Sequence, residues 1–253
     1  MRKGLLLALT GTFYQVCLGL PPTLVISIPK CGTHLIDKTV SQITGKKVVR
    51  LPMLVGYHTN LTDGMMRNKH PMQGHIHCNK ENVKKVGNYK AQVVFIYRDP
   101  RDQVVSYSYW RARRGPTPFN FSIPNGLERK QARRQLLTFL IEKISASYKL
   151  FMPWAIHPQV LPIKFEDLVG ARGGGSDEKQ LQTIMKIAAH IGTPISEAGA
   201  KKIATQLFGG TWTFRKGQIG SWKKEFSLDQ KALFKKHNSD LLIALGYETD
   251  SNW

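Results

Sequence analysis

The stretch VISIPKCGTHLIDKTV (residues 25–40) decides how the rest of the chain is read. A β-branched run breaks at a proline. A lysine, a cysteine and a glycine follow, then residues that suit the first turn of a helix. A buried strand turning through glycine into a helix N-terminus presents free backbone N–H groups and the positive end of the helix dipole. Lys30 adds a full charge, and Thr33 and His34 add donors. The combination is an anion cradle in kind. It differs from the common triphosphate loop, which needs GxxxxGK followed by Ser or Thr. Here the lysine precedes the glycine and no magnesium ligand follows it. An ordinary strand–helix turn that contains a lysine has the same letters, so the loop needs support from elsewhere.

Outward from this loop the chain alternates strands and helices. PTLVISI (22–28), AQVVFIY (91–97) and QVLPIKF (159–165) read as buried strands. Residues 32–43 read as a helix with Leu35, Ile36, Val40 and Ile43 inward. Further helices are expected over 80–86, 101–114, 128–151, 178–191, 195–207 and 228–246. Residues 44–79 are mixed, 115–126 read as a loop, and 170–178 form a glycine-rich loop. No internal repeat and no long linker is visible. The pattern predicts an α/β fold: a single domain with a central parallel β-sheet flanked by helices, P-loop nucleotide-transferase-like. In such sheets ligands bind beyond the C-terminal ends of the strands. Lys30 to Thr33, Arg98 and FEDL (165–168) all stand at such ends.

The composition fits that picture. The chain has 253 residues, 42% of them hydrophobic, which is enough for a sizeable core and excludes a disordered chain. Its 37 Lys and Arg against 17 Asp and Glu give a net charge of +20. That balance predicts acidic partners: nucleic acid, anionic lipid, nucleotides or acidic glycans. Cys17, Cys31 and Cys78 are widely spaced, with no CxxC pair, so neither a disulfide framework nor a zinc site is indicated. The first residues, MRKGLLLALTGTFYQVCLGLPP, have a weak signal-like character but are too short and interrupted to span a membrane. Residues 1–21 are therefore taken as a lead and 22–253 as the domain. The expected compartment is the cytoplasm, or a Golgi or exported setting if the lead acts as a signal or anchor.

Two further segments suit anions. In YRDPRDQVVSYSYW (97–110), Arg98 ends a strand and Ser106 lies eight residues on, about two turns into the next helix. Their guanidinium and hydroxyl suit a phosphate. The bland reading pairs the arginine with Asp99 or Asp102. In TFRKGQIGSW (213–222), two adjacent cations precede a glycine, as in loops that wrap anions. On its own it is equally a solvated basic turn.

Taken together, in this order and at about this spacing, the three segments resemble the sulfotransferases that use 3′-phosphoadenosine 5′-phosphosulfate (PAPS). PKCGTHL resembles that family's 5′-phosphosulfate loop, YRDPRDQVVSYSYW its 3′-phosphate segment and FRKGQIGSW its C-terminal cofactor loop. The resemblance covers about residues 22–250. It implies that Lys30, Cys31, Gly32, Thr33, His34 and Leu35 contact the 5′ end of the donor. Lys30 would also neutralise charge on the bridging oxygen. Arg98, Ser106, Arg215, Lys216 and Gly217 would hold the 3′-phosphate. The product would be 3′-phosphoadenosine 5′-phosphate (PAP), and no metal is implied.

Transfer to a hydroxyl also needs a base, which an imidazole suits. The family places a histidine after a strand, upstream of the arginine. His75 lies 23 residues before Arg98, and His77 lies 21 before it. His75 fits the family pattern better, while spacing alone leaves His77 open. The chain departs from the pattern at Leu35, where many members have tryptophan, at Phe165 for tyrosine and at Ser221 for aspartate. Adenine stacking would then fall to Trp212 or Phe214. KKEFSLDQKA (223–232) matches the dimerisation segment of the vertebrate cytosolic members poorly, so no such dimer is inferred.

The acceptor is expected to be a hydroxyl compound: carbohydrate, lipid or small molecule, with acidic compounds and glycans among the candidates. It would be held by 51–74, 111–130 and 144–157. Residues 111–135 carry seven Lys or Arg against one Glu, which suits an acidic acceptor and equally a solvated face. Tyr57, Tyr107, Tyr109, Trp110 and Phe119 could line an apolar pocket or belong to the core. Nucleic-acid binding and stable membrane insertion are not expected. The alternatives are a P-loop nucleotide kinase or NTPase, and a non-enzymatic basic protein that binds nucleic acid or membranes.

Overall fold

A computed structural model describes residues 21–52, 60–112, 129–210 and 215–253. It contains, in chain order, β1 (Thr23–Ser27), α1 (Thr33–Thr44), β2 (Val49–Arg50), α2 (Asp63–Met66), β3 (Met72–Gly74), α3 (Lys80–Asn88), β4 (Gln92–Tyr97), α4 (Pro100–Ala112) and α5 (Arg129–Lys149). The second half contains β5 (Val160–Lys164), α6 (Phe165–Leu168), α7 (Asp177–His190), α8 (Glu197–Leu207), α9 (Trp222–Glu225) and α10 (Leu228–Ala244). Two short 3₁₀ turns, Met152–Ile156 and Ala171–Gly173, flank β5 and α6.

The five strands form one sheet in the order β2-β3-β1-β4-β5. Every strand pairing is parallel. The three apolar runs are the inner strands β1 and β4 and the edge strand β5. β2 and β3 lie inside the segment that reads as mixed. At two and three residues they are too short to show alternation.

Side chains alternate across each strand. Leu24, Ile26, Val93 and Phe95 face one layer, with Val104, Leu137, Ile141, Phe234 and Leu242. Val25, Val94 and Ile96 face the other, with Ile36, Val40, Ile184, Ile187 and Ile203. Both faces of the sheet are therefore covered, as parallel sheets require. A fully buried side chain of this kind contributes about 1.5–3 kcal/mol. Among the described residues no helix is long and apolar enough to cross a membrane.

Neighbouring β1 and β4 send their chains to opposite faces. α1 joins the second layer and α4 the first. The loops after these strands thus diverge and open a crevice at the carboxyl edge of the sheet.

Candidate active site

The crevice holds a cavity of about 300 Å³. Of the residues singled out in the sequence, Lys30, Gly32, Thr33, His34, Leu35, His75, Arg98, Ser106, Arg215, Lys216 and Gly217 line it. Cys31 does not. Its side chain is fully buried, its thiol lies 3.5 Å from the Tyr148 hydroxyl, and its N–H donates to the Ile28 carbonyl. Burial pushes the Cys31 thiol up to about 12. His77 also lies outside the lining, with its ring edge-on to Phe151 at 4.8 Å. Trp212, Phe214, Tyr57 and Phe119 lie outside the described residues.

Local backbone builds the first loop. Gly32 caps α1 at φ 101° with no side-chain cap, and the first turn holds no acidic residue. The N-terminal N–H groups of α1 are thus left for a ligand. A Cβ on Gly32 would meet Phe165 at 2.7 Å, so glycine is required there by both space and conformation. Lys30 also has a positive φ, 69°. Gln103 donates to the Pro29 carbonyl at 2.8 Å and ties the loop to α4. The Lys30 ammonium sits 5.4 Å from the Trp110 ring centroid.

His75 is positioned by the end of β1. Its Nδ1 lies 2.7 Å from the Ser27 carbonyl oxygen, which can only accept. Nδ1 therefore carries the proton, and Nε2 keeps its lone pair. Ser27 Oγ in turn lies 2.9 Å from Thr33 Oγ1 and 3.2 Å from His75 Nδ1. Burial lowers the His75 pKa below the ordinary histidine value. The Ser27 bond opposes this, and the charges of Lys30 and Arg50 add to it. The imidazole is neutral at neutral pH.

Arg98 directly follows β4 at the cavity, its guanidinium 4.2 Å from the Phe165 ring centroid. Nη2 donates to the Gln218 carbonyl at 2.6 Å and to Asp102 at 3.3 Å. Its Nε is buried with no hydrogen-bond partner among the described residues. Asp102 fastens the C-terminal loop by accepting the N–H groups of Gly220 at 2.7 Å and Trp222 at 3.0 Å. The other arginine of this segment is structural. Arg101 is paired to Asp99 at 2.8 Å and sandwiched between Trp222 and Trp253.

The C-terminal loop is held from two further sides. The glycine-rich segment supports it from below, where the Ile219 N–H donates to the Gly173 carbonyl at 2.9 Å and Gln218 Nε2 to the Arg172 carbonyl at 2.7 Å. Arg215 stacks on Tyr109 at 4.0 Å and Arg133 stacks on the same ring at 4.1 Å. Glu225 accepts from the Tyr109 hydroxyl at 2.8 Å and pairs with Arg133 at 3.1 Å.

Sequence reasoning missed Arg50, Gln73, Tyr109's link to Arg215 and the role of Asp102. Arg50 ends the two-residue strand β2 and carries no local signal. Among the described lining residues the cations are Lys30, Arg50, Arg98, Arg215 and Lys216, and the one carboxylate is Asp102, already engaged. The arrangement suits a ligand with more than one anionic group, one end at the α1 N-terminus and the other at Arg98, Ser106 and Arg215.

A family model described as "Sulfotransferase domain" matches residues 20–209. No curated protein matches the chain. Among solved structures, the mouse sulfotransferase SULT7A1 complexed with PAP is similar at 18% identity and TM-score 0.60, over 90% of this chain and 88% of that one. Retinol dehydratase in complex with retinol and PAP is similar at 16% identity and TM-score 0.58, over 89% of this chain and 82% of that one.

Proposed function

The chain belongs to the sulfotransferase domain family, and on that premise we propose that it transfers a sulfuryl group from PAPS to a hydroxyl acceptor, residues 22–253 acting as one catalytic unit. One observation carries the reading: Lys30, His75, Arg98, Ser106 and Arg215, from four separate segments, line a single cavity at the carboxyl edge of the sheet. PAP in the related structures supports the choice of donor.

The residues present fit such a donor. Lys30, the uncapped N–H groups of α1 and the Thr33 hydroxyl receive the 5′-phosphosulfate. Cys31 supports this loop from beneath, since its thiol and N–H are both engaged by the protein. Arg98, whose Nε has no hydrogen-bond partner among the described residues, receives the 3′-phosphate with Ser106, Arg215, Lys216 and the Gly217 backbone. PAPS supplies the activated sulfuryl group. Lys30 stabilises charge that develops on the bridging oxygen, which is worth more in a preorganised site than in water. His75 Nε2 accepts the proton of the attacking hydroxyl while Nδ1–H remains bonded to Ser27.

The test is a binding titration with PAP against adenosine 5′-phosphate. PAP should bind much more tightly. Arg98→Ala should weaken PAP about 10- to 100-fold, the worth of one or two charge-assisted hydrogen bonds, and leave adenosine 5′-phosphate nearly unchanged. Equal binding of the two nucleotides, or indifference of PAP to Arg98→Ala, overturns the assignment.

A further inference from the structure

The order of strands lays the cavity out as a line. Along the carboxyl edge come Arg50 at the end of β2, His75 after β3, the Lys30–Gly32 loop after β1, Arg98 after β4 and Phe165 after β5. Neighbouring strands lie about 4.8 Å apart. The donor, on the reading above, occupies the part from β1 to β5. The base then stands between the donor and Arg50, and an acceptor whose hydroxyl meets His75 extends toward β2.

Arg50 is equipped to meet it. Its side chain lines the cavity and is 53% exposed. Nη2 donates to His34 Nδ1 and lies 3.5 Å from Asp37 Oδ2. Among the described residues no other hydrogen bond or ion pair engages the guanidinium, which leaves Nε and Nη1 for a ligand. Asp37 compensates it poorly. The contact is long, and burial pushes that carboxyl up to about 7. His34, with Nδ1 accepting from Arg50, adds no negative charge. The one carboxylate among the described lining residues, Asp102, is committed to the far end. The β2 end therefore presents a cation whose planar fork matches an oxyanion.

From this layout we infer that Arg50 is a specificity-determining residue that selects acceptors with an oxyanion close to the hydroxyl to be sulfated. The span of one or two strand spacings fits an acid on the same or the adjoining ring of a sugar or aryl compound. The inference rests on the sulfuryl-transfer reading. It concerns the acceptor end alone.

The test compares matched acceptors with PAPS as donor: methyl β-D-glucuronide against methyl β-D-glucoside, and 4-hydroxyphenylacetate against its amide. Binding of each to the PAP-loaded protein is measured alongside turnover. The acid of at least one pair should be favoured at least tenfold in kcat/KM or affinity. Arg50→Gln should reduce that ratio to near one, and Arg50→Lys should restore part of it. PAP affinity should change much less than the acid preference does in either variant, since Arg50 touches the donor loop only at His34. If PAP binds but the neutral partners are used equally or better, if no acid is bound or used, or if Arg50→Gln leaves the ratio intact, the inference fails. Failure of PAP to bind the wild-type protein instead removes the reading beneath it.

Discussion

At the scale of single residues, two histidines two positions apart have different surroundings. His75 donates from Nδ1 to Ser27 and lines the cavity, while His77 packs on Phe151. Spacing could not separate them, because the separation comes from where β3 ends and the chain bends. Burial and nearby cations hold the His75 pKa below its ordinary 6.5. The acid limb of the kcat/KM profile should therefore lie below pH 6.5, and a limb centred above that value counts against His75 as base. His75→Ala should lower kcat about 10²- to 10⁴-fold while PAP still binds. Asp37 titrates in the opposite sense. Its buried carboxyl is raised from 3.8 to about 7, and its Oδ1 has no partner. As pH rises from 4 to 7 the unfolded chain loses this proton and the folded chain keeps it, so stability falls across that window. Asp37→Asn should raise Tm at pH 8 and change it little at pH 4. Melting curves at the two pH values check this, and an equal shift at both removes the explanation.

At the scale of elements, the long apolar strands and most helices were legible, because buried runs and helical periodicity are local signals. β1, β4 and β5 and the helices α1, α7, α8 and α10 lie within a few residues of expectation. β2 and β3 were not legible, since their sheet membership depends on neighbours rather than on their own letters. The anion-binding letters were legible as three segments. What holds those segments together was not. The sequence showed a glycine-rich loop without a purpose, and its purpose is contact. A Cβ at Gly173 would lie 2.7 Å from the Gly217 carbonyl oxygen and 2.3 Å from Val169. Gly173→Ala should therefore displace the loop that carries Arg215. Its expected signature is PAP affinity lowered at least tenfold with adenosine 5′-phosphate much less affected, read by titration, together with a lower Tm. Unchanged PAP affinity would mean that the loop tolerates the shift. The bland reading of the middle segment was half right, since Arg98 does pair with Asp102 and also lines the cavity.

At the scale of the whole molecule, the net charge of +20 pointed to an acidic partner without naming it. Only the fold turns part of that excess into an address, by gathering five cations around one cavity. The strand order sets their sequence along the sheet edge. A consequence concerns how such a catalyst can diversify. On the proposed reading the donor half would hang from β1, β4 and β5 and the acceptor half from β2 and β3, the two meeting at the end of β1 and the first turn of α1, where His75 bonds Ser27 and Arg50 bonds His34. Changes at the β2 edge can retune what is modified without disturbing the shared currency of the reaction. A descendant with a new acceptor would therefore differ from this protein mainly around the end of β2, and would keep its nucleotide chemistry intact.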